Sequence, residues 1–144
     1  MLMACWLYVI DRENWEIVKK ERVLGVPPRN KKTIQRVKPG DQVVVYIKQE
    51  ITKEGVMGPD VGGVFKVASE PYRETKRVFR RVTLPYRVKL EPVVVPERPK
   101  DFKPLIRKLE FIKRKKRWSG YLAGRMIREI PEGDCKKIVE YLKK

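Results

Sequence analysis

Lys38-Pro39-Gly40-Asp41-Gln42-Val43-Val44-Val45-Tyr46-Ile47-Lys48 decides the fold class of this chain. Proline followed by glycine reads as a tight turn of type II, because glycine accepts the positive φ that such a turn needs at its third position. Gln42 to Lys48 then follows as a β run rich in branched and aromatic residues. Upstream, Ala4 to Ile10 is a second apolar run and reads as a buried strand, not a signal peptide, since it lacks a basic start and stops at Asp11-Arg12-Glu13. From Asp11, placed as an N-cap, the pattern turns helical with Trp15, Val18 and Lys19 on one face. Val23-Leu24-Gly25-Val26 is a short extended piece running into Pro27-Pro28, and Thr33 to Val37 reads as one helical turn.

Downstream of the deciding stretch, residues 49–60 are polar with two glycines and a proline and read as a mobile loop. Gly63 to Ala68 is the next strand, where Gly62-Gly63 permits a bulge or a close backbone approach. Tyr86 to Glu91 alternates with period 2, and Val93-Val94-Val95 extends it. Asp101 to Leu109 forms a short helix with Pro104 confined to its first turn, Met126 to Ile130 a last strand, and Glu132 to Lys144 a closing helix with Ile138, Val139 and Leu142 inward. Strands outnumber helices and no βαβ rhythm appears, so the expectation is α+β: one domain over residues 1–144, a small mixed barrel with peripheral helices.

Composition narrows the chemistry. The 144 residues contain 35 Lys and Arg against 18 Asp and Glu, a net charge of +17, and no histidine. Imidazole acids and bases, Ser-His-Asp systems and His-ligated metals are thereby excluded. Cys5 and Cys135 lie at opposite ends without metal-ligand spacing. They read as two reduced buried thiols of a cytoplasmic protein, with a single bridge between the termini as the alternative. The longest apolar runs fall short of the roughly 20 residues that span a bilayer. No metal or cofactor is expected. Scarce Asn and Gln beside many Lys, Arg and Glu match a thermophilic bias.

The positive charge is segregated. Residues 1–72 carry 12 bases and 9 acids, whereas residues 73–144 carry 23 and 9. Thermal adaptation raises both signs; clustering of one sign is the footprint of phosphate contact, and RNA or DNA is the expected partner. Lys113, Arg114, Lys115, Lys116 and Arg117 run directly into Trp118-Ser119-Gly120-Tyr121, with Arg125 and Arg128 nearby. Cations would engage phosphates, and an aromatic face can stack on a base for about 1–3 kcal/mol. Trp6 and Trp15 lie on apolar periodic elements and read as core. Glycines 55, 58, 62 and 63 fit neither a P-loop nor a dinucleotide fingerprint, and the acids form no catalytic pair.

These pieces occur in one order. Cys5-Trp6-Leu7, Asn14-Trp15, Gly25-Val26-Pro27, Lys38-Pro39-Gly40-Asp41, Gly63-Val64-Phe65, Pro85-Tyr86-Arg87-Val88, Trp118-Ser119-Gly120-Tyr121, Gly124-Arg125 and Arg128-Glu129-Ile130-Pro131 together resemble the EVE domain family over nearly the whole chain. That family belongs to the PUA-like superfamily and is similar to YTH domains. The resemblance implies a small pseudo-β-barrel whose pocket accepts a nucleobase, without catalysis. By position it implies a pocket from Val26, Pro27, Arg29, Asn30, Tyr46, Trp118, Ser119, Tyr121 and Arg125, and the basic strip 113–117 with Arg128, read from its charge, would hold the flanking phosphates. Where many relatives have tryptophan this chain has Leu24, which offers only apolar contact, so the base expected is modified or unmodified and of open identity. Two alternatives stand beside this reader: a basic RNA-associated protein that does not discriminate bases, and an enzyme acting on nucleic acid.

Overall fold

The computed structural model describes residues 3–122 and 124–144, leaving the side chain of Tyr121 outside the described set. The chain opens with β1 (Cys5–Ile10) and α1 (Arg12–Glu21). Asp11 caps α1 as its sequence position predicts: its Oδ1 accepts from the Asn14 N–H at 2.8 Å. Next come β2 (Val23–Val26), a 3₁₀ turn at Pro28–Asn30 and α2 (Lys31–Ile34). The turn expected at Thr33 to Val37 thus starts earlier, because Pro28 initiates helical geometry two residues after the strand. Then follow β3 (Gln42–Ile47), β4 (Glu50–Thr52), β5 (Gly55–Met57), β6 (Asp60–Val67), β7 (Tyr72–Arg73), β8 (Tyr86–Val94) and β9 (Lys100–Asp101). Residues 103–122 contribute two further 3₁₀ turns and α3 (Trp118–Leu122), before β10 (Ile127–Ile130) and α4 (Glu132–Lys143) close the fold.

The sheet runs β10-β1-β3-β6-β8-β2, with β9 added to β6 and β7 to β8, and curls into a half-barrel. All its pairings are antiparallel except β1 with β3, which lie parallel in the register Cys5↔Gln42 through Ile10↔Ile47. That crossover was not visible as a βαβ rhythm because α1 is followed by β2, which departs to the far edge. Both faces of β1 and β3 are buried. Trp6, Tyr8, Ile10, Val43, Val45 and Ile47 face one core with Trp15 and Phe65. Cys5, Leu7, Val9, Val44 and Tyr46 face a second core with Phe102, Leu109 and Ile138. Burial on both sides explains why these strands are apolar without alternation.

Four expectations are corrected. Residues 49–60 contain the β4–β5 hairpin and the first residue of β6; the hairpin strands are three residues long, too short to show a period. Asp101 to Leu109 supplies only a 3₁₀ turn at Lys103–Leu105, since Phe102, Leu105, Ile106 and Leu109 are drawn into the second core around Pro104. Lys19 points out to solvent, and the buried face of α1 is Asn14, Trp15 and Val18. Cys5 and Cys135 form a disulfide with Cα atoms 6.3 Å apart, so the reduced-thiol reading gives way to its alternative, a single bridge between the termini. The Gly62-Gly63 expectation holds: the β3–β6 register shifts between Val45 and Tyr46, and a Cβ on Gly62 would stand 2.7 Å from the Trp15 ring.

The strand pair is fastened at its base by Asp41. Its carboxylate is 4% exposed and accepts from the Ala4 N–H at 3.1 Å, the Trp6 indole N–H at 3.0 Å and the Lys38 N–H at 3.0 Å. Replacing Asp41 by alanine orphans all three donors and is expected to cost about 3–5 kcal/mol of unfolding free energy. Asp41→Asn, which retains one acceptor oxygen, should cost less. Urea titrations of both variants check this ordering, and a loss near zero for alanine contradicts it.

Candidate nucleic-acid interface

Parallel pairing brings the carboxyl ends of β1 and β3 side by side, and both chains then leave the sheet, β1 into α1 and β3 into the hairpin. Over the gap between these departures lies a cavity of about 550 Å³. Its floor is Val9, Ile10 and Asp11 from the end of β1 and Tyr46 from β3, with Lys48 and Gln49 just beyond. One wall comes from α3 and the turn behind it: Trp118, Ser119, Leu122, Gly124, Arg125 and Met126. The other is built by Pro27 and Arg29 after β2 and by Val82 and Leu84 before β8.

Two aromatic faces border the space. Tyr46 packs edge-on against Phe102, ring centroids 4.8 Å apart at 87°, and Trp118 tilts against the same ring at 6.3 Å and 42°. Phe102 is fully buried, so it fixes both. Trp118 is half-buried: it plugs the second core and borders the cavity at once. Around them Pro27, Val82, Leu84, Leu122 and Met126 make the lining chiefly apolar, interrupted by Asp11, Ser119 and the cations Arg29, Lys48 and Arg125.

Of the residues expected in the pocket, Pro27, Arg29, Tyr46, Trp118, Ser119 and Arg125 line it. Val26 is wholly buried in the first core instead, as is Leu24, so neither borders the cavity. Asn30 stands outside the lining, with its side-chain oxygen enclosed and without a hydrogen-bond partner among the described residues. The Tyr121 side chain lies outside the described residues. Lys113, Arg114, Lys115, Lys116 and Arg117 are all exposed, leading directly into Trp118; Lys115 also donates to the carbonyl of Leu109. Arg128 is half-buried on β10, paired across from Leu7. The strip is rooted by Asp134, a wholly buried carboxylate at the start of α4 that accepts from the N–H groups of Glu110 and Phe111 at 2.8 and 2.9 Å.

Asp11, Val82 and Leu84 are among the lining residues that the sequence reading leaves out. The signal for Asp11 was its position: an N-cap directly after a buried strand stands at the end of that strand by necessity. Val82 and Leu84 belong to a loop held by three devices. Asn14 receives the Arg80 N–H at 2.6 Å and donates to the Arg80 carbonyl at 3.1 Å. The guanidinium of Arg87, 3% exposed, donates to the carbonyls of Leu84, Lys76 and Thr83. Gly25 lets Phe79 and Leu84 lie against the backbone of β2, where a Cβ would stand 2.6 Å from the Phe79 ring. The Tyr8 hydroxyl completes this by donating to the Gly25 carbonyl at 2.7 Å. Leu84 itself is held at φ 48, a left-handed conformation that non-glycine residues rarely adopt.

Burial pushes the phenols of Tyr8 and Tyr46 well above their ordinary value. The folded protein therefore holds these protons when the unfolded chain releases them, and stability falls as pH rises above about 10. In Tyr46→Phe, which keeps the ring on Phe102, urea unfolding should show a shallower fall between about pH 9 and 11 than in the parent.

Comparison with known proteins fits this architecture. The chain is 48% identical to a UPF0310 protein of Pyrococcus abyssi, covering 97% of this chain and 100% of that protein. It is 46% identical to a UPF0310 protein of Pyrococcus horikoshii, covering 97% and 99%. Among solved structures, the Mmi1 YTH domain in complex with RNA superposes with a TM-score of 0.68 at 10% identity, covering 98% of this chain and 78% of that one. Human THYN1 in complex with DNA containing 5-methylcytosine superposes at 0.61 and 13% identity, covering 98% of each chain. At these identities the two structures share the fold. The EVE domain model matches residues 4–141, and with the archaeal relatives it establishes that the chain belongs to the EVE domain family.

Proposed function

We propose that this protein is a non-catalytic reader of nucleic acid that takes one nucleobase into the cavity over β1 and β3. The observation that carries the reading is the lining itself: two aromatic faces fixed by Phe102, an apolar surround, and cations at the rim, in a space of about 550 Å³ that suits a small planar ligand. Trp118 stacks on the base, with Tyr46 bounding it from the floor. Ser119 and Asp11 offer hydrogen-bonding groups to its edge. One Asp11 oxygen is used by the helix cap; the other is engaged by no described residue. Lys113 to Arg117 hold flanking phosphates through their exposed ammonium and guanidinium groups.

Two proteins of this fold, the Mmi1 YTH domain and human THYN1, were solved holding RNA and 5-methylcytosine DNA respectively, which supports nucleic acid as the ligand class. The pocket wall here is aliphatic at Pro27, Val82 and Leu84, so apolar contact, not a complete aromatic cage, surrounds the base. Among the described residues no helix is long and apolar enough to cross a membrane. The reading includes a cytoplasmic location. The Cys5–Cys135 bridge agrees with it if the host is hyperthermophilic, since intracellular proteins there are disulfide-rich.

A panel of short single- and double-stranded oligonucleotides, unmodified or carrying 5-methylcytosine or N6-methyladenine, tests the reading at two salt concentrations. A base preference should survive high salt in the parent. Trp118→Ala should weaken binding at every salt concentration by about 1–3 kcal/mol. Uniform binding that vanishes with salt would favour the alternative, a basic RNA-associated protein without base discrimination.

A further inference from the structure

The end of β7 and the loop that joins it to β8 carry Arg73, Lys76, Arg77, Arg80 and Arg81 within nine residues, all exposed, against the single acid Glu74. Of these five cations only Arg81 has a carboxylate of a described residue within ion-pair distance, Glu13 at 3.7 Å on the surface. Like charges gathered without acidic partners repel one another and loosen the segment that bears them. This segment is nevertheless pinned, by Asn14 on Arg80 and by the buried Arg87 on three of its carbonyls. Arg81 sits at φ 69, a conformation kept only where the surroundings over-determine it. Val82, next along the chain and 41% exposed, lines the cavity.

We propose that this loop is a second phosphate-contacting arm, facing the 113–117 strip across the mouth of the cavity. The inference rests on the base-reading function and extends it to the class of ligand. The two arms rise from opposite faces of the β1–β3 pair: α3 packs on the second core, and the loop packs through Phe79 and Leu84 on the first. A nucleotide seated between them has cations on both sides. The ligand is therefore an internal nucleotide of a continuing strand, with phosphates held 5′ and 3′ of the accepted base, and not a free nucleotide or a chain end. The buried anchors preset the arm's position, so little ordering remains to be done on binding.

The test measures the slope of log affinity against log salt for a fluorescent mixed-sequence single-stranded DNA of about 12 nucleotides. Each phosphate contact contributes about 0.7 to that slope on a single strand. Arg77→Gln with Arg80→Gln should lower it by about 1.4, and this loss should add to that of Lys113→Gln with Lys116→Gln. Lys19→Gln with Lys20→Gln, about 12 Å along α1 from the cavity end, should leave the slope at the parent value and so separates contact from general charge. If Arg77→Gln with Arg80→Gln misfolds by circular dichroism, Lys76→Gln with Arg77→Gln replaces it. A slope that stays at the parent value, a fall matched by the Lys19 and Lys20 control, or losses that fail to add would overturn the arm. Should the parent keep a base preference that Trp118→Ala removes while the arm variant binds as the parent does, the arm falls and the pocket stands. If the parent binds no oligonucleotide at low salt, both fall.

Discussion

A single carboxylate, that of Asp41, sets where the first and third strands begin relative to each other. By accepting from Ala4, the Trp6 indole and Lys38, it ties the turn before β3 to the start of β1. A parallel pair has no hairpin to define its register, and a slip of one residue would exchange the two faces of each strand. Here that exchange would place Cys5, Leu7 and Val9 where Trp6, Tyr8 and Ile10 now fill the first core. The same register puts Val9 opposite Tyr46 at the far end, and those two residues form the cavity floor. The geometry of the cavity is thus determined about a strand's length away, by hydrogen bonds that lie outside its lining.

The walls depend on a comparable use of buried polar groups. Asn14, Arg87 and Asp134 each satisfy the backbone of a loop that has no regular structure of its own. A loop pinned through its carbonyls and amides can carry an unfavourable surface, and both cationic segments do so. Without those anchors, the repulsion among Lys113 to Arg117 would be relieved by fraying of the segment, and the position of Trp118 would be lost with it. Rigidity and positive charge are coupled in this protein because the first makes the second tolerable.

How far the sequence could be read depended on where the interactions run. β1 and β3 were legible because burial on both faces leaves a continuous apolar signature, and α1 was legible at its start because capping is local. Trp118 beside five cations was conspicuous for the same reason. The parallel pairing was not, since it joins segments 37 residues apart through a crossover interrupted by β2. The β4–β5 hairpin escaped notice because strands of three residues carry no period. Arg87 occupies an ordinary place in an alternating strand, and nothing in Tyr86-Arg87-Val88-Lys89 marks it as an interior cation. The pocket lining was recovered where one wall resembles a known family, and missed where Val82 and Leu84 are delivered by a loop whose path is set by Asn14 and Arg87.

The bridge between Cys5 and Cys135 has a topological consequence. With a sequence separation of 130, it closes residues 5–135 into one covalent ring. Cutting the backbone once within that ring, for instance at the exposed tip of the β4–β5 hairpin, opens the circle without dividing the molecule. The halves stay joined through sulfur, and the core strands on either side of the cut are still held next to one another. Structural integrity in an oxidising setting therefore does not require an unbroken polypeptide.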